Sequence, residues 1–195
     1  MAALREPFYT PEEYLELERK GEHKSEYLAG QIFAMAGWTQ RHARITCNIS
    51  GELRSLLKGQ PCESFSTDLR VQVQATGLYA YPDVVVVCGE AILADSHADT
   101  LLNPTVIFEV LSPSTESYDR GLKFVHYRRL ESLTDYVLVL QEQRLVEHFI
   151  RQPSGDWLLH TVDGLDDGIV LASLNCRLPL SEIYERVLFE NDTPA

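Results

Sequence analysis

The chain has 195 residues, 45% hydrophobic and 24% charged, which is the composition of an ordinary globular domain and excludes a disordered or low-complexity chain. A formal net charge of -12 excludes a broad basic footprint for nucleic acid, but it leaves room for a small basic channel or a carboxylate site that collects a divalent cation. Cys47, Cys62, Cys88 and Cys176 form no CxxC pair, which argues against a thiolate zinc site or a disulfide framework and for a reducing cytoplasm.

The N-terminus turns acidic too early for a signal peptide, and no apolar run nears the roughly 20 residues of a membrane span. In "YTPEEYLELERKG" Thr10 can cap a helix, Pro11 suits its first turn, and Gly21 ends it. "HKSEYLAGQIFAMAG" predicts two short strands around a turn at Ala29-Gly30, the second apolar on both faces. A long helix follows, about Thr39 to Lys58, with Ile45, Ile49, Leu53, Leu56 and Leu57 at helical spacing. "CESFSTDLRVQVQ" is extended, with Arg70, Gln72 and Gln74 alternating against Leu69, Val71 and Val73. "YPDVVVVCG" is a strand without a polar face, so both its faces should be covered.

"NPTVIFEVLSPST" is a second buried strand, and it carries Glu109 in its middle. A helix over "STESYDRGLKFVHYRRLES", capped by Ser114 or Thr115, comes next. The strands "TDYVLVLQ", "RLVEHFIRQ" and "DWLLHTVD" follow, then "IVLASLNCRL" and the short helix "PLSEIYERVL". This order predicts a single α/β (α+β) domain over 1–195, a mixed sheet with helices on both faces, its core at 8–187 and a mobile tail at 188–195. The strands "VLVLQ" and "EHFIRQ" are expected to be exposed and able to pair chains in a homodimer.

Two carboxylates stand out. Asp83 opens one buried strand and Glu109 interrupts the next, so the two could meet in space. A buried carboxylate is costly unless something binds it. Hard cations such as Mg²⁺ take oxygen ligands, often one or two carboxylates with water and substrate phosphate, and a metal so held can activate water. No GxGxxG, P-loop or GxSxG element is present, which disfavours dinucleotide, nucleoside-triphosphate and α/β-hydrolase chemistry.

With these residues in place the chain resembles the PD-(D/E)xK nucleases, through Pro82-Asp83 and Glu109-Val110-Leu111. It is more specifically similar to their Uma family branch. "YTPEEYLELE", "EYLAGQI", "STDLRV", "YPDVVVV", "EVLSPST" and "DRGLKFVHY" occur here in that family's order across residues 8 to 187. The resemblance implies a restriction-endonuclease-like mixed sheet flanked by helices, with additional antiparallel strands. It implies Mg²⁺ or Mn²⁺ on Asp83 and Glu109, helped by the Val110 carbonyl, and hydrolysis of a nucleic-acid phosphodiester, DNA being the expected substrate.

One position departs from the pattern. A lysine two residues after the glutamate would share its strand face, but Leu111 stands there. Lys123 is the expected replacement, because Asp119, Lys123 and Tyr127 are four apart and share one helical face. Lys123 would orient water or neutralise phosphate, with Tyr127 nearby. Glu26, His42, Asp68, Asp119 and Tyr127 complete the set as supporting residues. Each has a plainer alternative: Glu109 bonded to Arg120 or backbone, Asp119-Lys123 an exposed helix pair, His42 a packing residue and Asp68 a turn residue. A non-catalytic relative that binds nucleic acid or protein as a homodimer is the rival to the enzyme.

Overall fold

The computed structural model describes residues 7–35, 37 and 39–189. Helix α1 (Pro11–Lys20) opens with a reciprocal cap: Glu13 N–H donates to Thr10 Oγ1 and Thr10 N–H to Glu13 Oε2. A hairpin of β1 (Ser25–Leu28) and β2 (Gln31–Ala34) follows. Its turn needs positive φ at Ala29 and Gly30, and an added Cβ at Gly30 would strike the Phe8 ring. Contrary to the two-sided apolar expectation, β2 is largely exposed, because it is the outer edge of its sheet.

Helix α2 (Gln40–Leu56) starts at Thr39, whose hydroxyl accepts from His42 N–H. The segment expected as one extended run is two strands, β3 (Cys62–Ser66) and β4 (Arg70–Val73), separated by Thr67 at φ +31 and placed in different sheets. Arg70 is therefore buried, donating to Tyr81 and Thr100 and paired with Asp99. Strands β5 (Leu78–Ala80), β6 (Val84–Cys88), β7 (Thr100–Leu101) and β8 (Val106–Leu111) come next. A helical run then passes through α3 (Glu116–Tyr118), a π stretch at Asp119–Lys123 and α4 (Phe124–Tyr127). Strands β9 (Asp135–Leu140), β10 (Val146–Arg151), β11 (Trp157–Val162), β12 (Gly168–Leu171) and β13 (Cys176–Pro179) and helix α5 (Leu180–Ile183) complete the described chain.

The central sheet runs β11-β10-β9-β8-β6-β3, parallel only at β8–β9. Alternate residues of its inner strands feed two cores. Val84, Val86, Val106, Phe108 and Val110 face α2, through Ile45, Ile49 and Leu53, and also α5. Val85, Val87, Ile107 and Leu111 face the second sheet, β2-β1-β5-β4-β7, through Val71, Val73 and Leu78, and face α4 through Tyr127. Each valine so buried contributes roughly 1.5–3 kcal/mol, so a strand with no polar face is the stable choice here. Helices lie on both faces as expected, but the second face is also covered by a sheet, and that cover gives way to helix at the Glu109 end of β8.

Three further expectations change. Strands β9 and β10 lie inside the central sheet, so they cannot pair between chains; β11 is the edge, with Leu158 and Leu159 exposed. Cys62 and Cys88 form a disulfide, because the β3–β6 register sets them directly opposite, which their 26-residue separation concealed. Phe189 is buried against Tyr184, so packing continues past residue 187, while the rest of the expected tail, from 190 on, lies outside the described residues. No helix among the described residues is long and apolar enough to cross a membrane.

Candidate active site

The β6–β8 pairing aligns Val84 with Phe108, and one step further along that register falls at Asp83 and Glu109. Alternation sends Glu109 to the same side of the sheet as Ile107 and Leu111, at the edge of the second apolar core. It is 3% exposed. Asp83 is oriented by the neighbouring strand: Val110 N–H donates to its Oδ2 at 2.7 Å, and His42 Nε2 from the first turn of α2 lies 3.3 Å from the same oxygen.

Lys123 reaches the acids from the opposite side. Its Nζ is 3.0 Å from Glu109 Oε1, 2.9 Å from Glu26 Oε1 and 3.4 Å from Asp119 Oδ1. Tyr127 donates its hydroxyl to Glu109 Oε1 at 3.2 Å. The helical face Asp119-Lys123-Tyr127 thus closes over the strands, and all three residues are buried. Asp119–Lys123 is not an exposed helix pair. The helix is π-wound from Asp119 to Lys123, a local widening that recurs at functional sites. Leu111 occupies the position of the absent motif lysine and is core, packed in the second cluster.

The electrostatics are unbalanced. Glu26, Glu109 and Asp119 bring three carboxylates to one ammonium, and Asp83 adds a fourth acid near Glu109. Burial pushes the Glu109 carboxyl well above its ordinary range; Lys123 opposes this, and Asp119, Asp83 and Glu26 reinforce it. Burial likewise raises Asp119 against the pull of Lys123. For Lys123, burial alone lowers the ammonium pKa, but Glu109, Glu26, Tyr127 and Asp119 together carry it well above the ordinary lysine range. The Lys123 shift reflects the surrounding acids, whereas the Glu109 shift reflects burial first and those acids second.

These groups open onto a cavity of about 430 Å³. Its rim carries Phe33 and Met35 from the hairpin side, Ser112, Ser114 and Thr115 before α3, and Leu122 from the π stretch. Asp68 is not brought there: its side chain is 86% exposed and pairs with Lys24. Arg120, the alternative partner of Glu109, pairs instead with Glu116 at 2.9 Å and with Glu147. Thr115 precedes α3 without a side-chain capping bond to it. Tyr118 escaped the sequence reading. Its ring lies 5.7 Å from Lys123 Nζ, and an aromatic beside an acidic helix start carries no signal of its own. Among the described residues, no three His, Cys, Asp or Glu side chains are arranged to hold a metal by themselves. A cation here would therefore draw on backbone oxygen or water for its remaining ligands.

The mixed central sheet, its two acid-bearing paired strands and the covering helix define a restriction-endonuclease-like fold. The chain belongs to the Uma2 family, described as "Putative restriction endonuclease", which it matches over residues 11–181. An uncharacterised protein of Synechocystis sp. (strain ATCC 27184 / PCC 6803 / Kazusa) is 36% identical over 183 residues, covering 94% of this chain and 95% of its own. A second uncharacterised protein of that strain is 35% identical over 155 residues, 80% of this chain and 88% of its own. The crystal structure of a "putative nuclease belonging to DUF820" from Anabaena variabilis ATCC 29413 is similar in fold, with a TM-score of 0.76 at 20% identity over 92% of this chain and 99% of that one.

Proposed function

We propose that the protein is a metal-dependent endonuclease that hydrolyses phosphodiester bonds in nucleic acid, with DNA as substrate and Mg²⁺ or Mn²⁺ as cofactor. One observation carries this reading: the carboxylates of Glu26, Glu109 and Asp119 converge on a single ammonium, with Asp83 across the strand pair from Glu109, beside an open cavity, an arrangement that asks for a cation. The donors suit a hard ion, since Asp83 and Glu109 supply charged oxygens on adjacent strands and Val110 adds its carbonyl. When bound, such a cation supplies an activated water and stabilises charge on the phosphoryl group.

The chain's own residues do the rest. Val110 N–H and His42 hold the Asp83 carboxylate in one orientation. Tyr127 fixes Glu109 Oε1 by donating to it. Lys123 brings a fixed positive charge to where an anionic phosphate would enter, and its N–H groups can orient the attacking water. The apolar rim at Phe33, Met35 and Leu122 gives a nucleobase or sugar a surface beside the charged centre.

The test is plasmid cleavage with Mg²⁺ or Mn²⁺. Wild type is expected to cleave, and Asp83→Ala and Glu109→Ala to lose roughly 10³-fold or more, the scale of removing a principal electrostatic group. Absence of wild-type cleavage across single-stranded, duplex and RNA substrates would sink the enzyme reading. That outcome would favour the non-catalytic homodimer, for which the exposed Leu158 and Leu159 on edge strand β11 are the supporting observation and light scattering the check.

A further inference from the structure

Glu26 lies on neither acid-bearing strand. It comes from β1 of the second sheet, pairing there with Phe33 of β2, and its side chain is 9% exposed. Of the three carboxylates around Lys123 it makes the shortest contact, 2.9 Å. Glu109 is committed differently, since its Oε1 is already shared between Lys123 and Tyr127. Asp119 is the most distant of the three partners, at 3.4 Å.

A cation bound by Asp83 and Glu109 would compete with Lys123 for Glu109. A lysine with no other strong partner would swing out of the site when the cation arrived. Resting on the metal-dependent reading above, we propose that Glu26 is a positioning residue that holds Lys123 in place when a divalent cation takes over Glu109, so that cation and lysine occupy the site together. Glu26 therefore acts through Lys123 and is not itself a metal ligand. The second sheet, through β1, becomes the element that sets the lysine.

A double-mutant cycle with a binding readout tests this. Mn²⁺ affinity is followed by electron paramagnetic resonance, and cleavage in parallel, for wild type, Glu26→Gln, Lys123→Met and the double variant. Glu26→Gln is expected to reduce cleavage by roughly 10²-fold, within the range for a positioned acid–base or charge group. In the Lys123→Met background the same change should alter both readouts by no more than about twofold, because the group it acts through is gone. A further loss of Mn²⁺ affinity in that background of about tenfold or more, the scale of losing a ligand or its direct support, would make Glu26 a ligand and overturn the proposal.

A crystal of the wild-type protein soaked in Mn²⁺ avoids dependence on variant folding. Glu26 bonded to Lys123 with the ion on Asp83 and Glu109 supports the proposal, and Glu26 bonded to the ion overturns it. Mn²⁺ bound nowhere near Asp83 would instead remove the metal-dependent reading itself.

Discussion

Two buried acids in the central sheet meet the same cost of burial and end in opposite states. Asp135 on β9 accepts from Thr134 and Ser173 and lies 2.7 Å from His148 Nε2 on β10, so nearly every lone pair is used. Burial pushes its carboxyl up, but the bonds from His148, Thr134 and Ser173 outweigh that and leave it below its ordinary range. Glu109 on the adjacent β8 has one lysine, one tyrosine and three acidic neighbours, and its carboxyl is driven well up. The first acid is satisfied and closed off; the second is short of positive charge and faces a cavity. A buried acid in an apolar strand is therefore not itself a sign of chemistry; the deficit around it is.

The largest effect that would sharpen this contrast comes from Lys123→Met. It leaves Glu26, Glu109 and Asp119 without their shared cation and should destabilise the fold at neutral pH by about 3–5 kcal/mol, measured by chemical denaturation in chelator. Lowering the pH should recover part of that loss as the acids protonate. Mn²⁺ separates the sites next. At about 100 times its Kd it should stabilise wild type by about 2.7 kcal/mol, seen as a rise in Tm, with no rise in Asp83→Ala and an undiminished rise in Asp135→Asn.

Neutralising the two acids should give unequal effects. Asp135→Asn should cost about 2 kcal/mol through its charged hydrogen bonds, whereas metal-free Glu109→Gln should stay within about 1 kcal/mol of wild type. Equal losses would mean that Glu109 is as well satisfied as Asp135, and the contrast would collapse. The smallest effect is in the pH dependence, where the signs oppose. Asp135, with its folded pKa lowered, stabilises the protein above its ordinary value of 3.8 and loses that contribution as pH falls through the folded value. Glu109, with its folded pKa raised, contributes most below its ordinary value of 4.5 and loses that contribution as pH rises through the folded value. Denaturation profiles of wild type against Asp135→Asn should diverge below about pH 4, and against Glu109→Gln above about pH 4, with opposite signs, by up to ~1.4 kcal/mol per unit of pKa shift.

Much of the site was legible because its signals are local. Asp83 follows a proline and heads a strand with no polar face, and Glu109 is the one charge in its apolar run. Asp119, Lys123 and Tyr127 repeat every four residues, so any helix turns them to one side. Asp68 had similar local credentials, yet it points to solvent because the turn at Thr67 carries it off the sheet. The strands "VLVLQ" and "EHFIRQ" read as exposed only because alternation does not reveal what is placed on either side of a strand.

By itself the sequence determined the order of elements, the two acid-bearing strands and the lysine-bearing helical face, since periodicity and capping act within a few residues. Only the tertiary structure decided that β3 and β4 belong to different sheets and that Cys62 lies opposite Cys88. It also decided that Glu26 crosses from the second sheet to meet Lys123, 97 positions away in the chain. Strand register and sheet order are set by which apolar faces bury each other best, and that choice is made between segments distant in the chain.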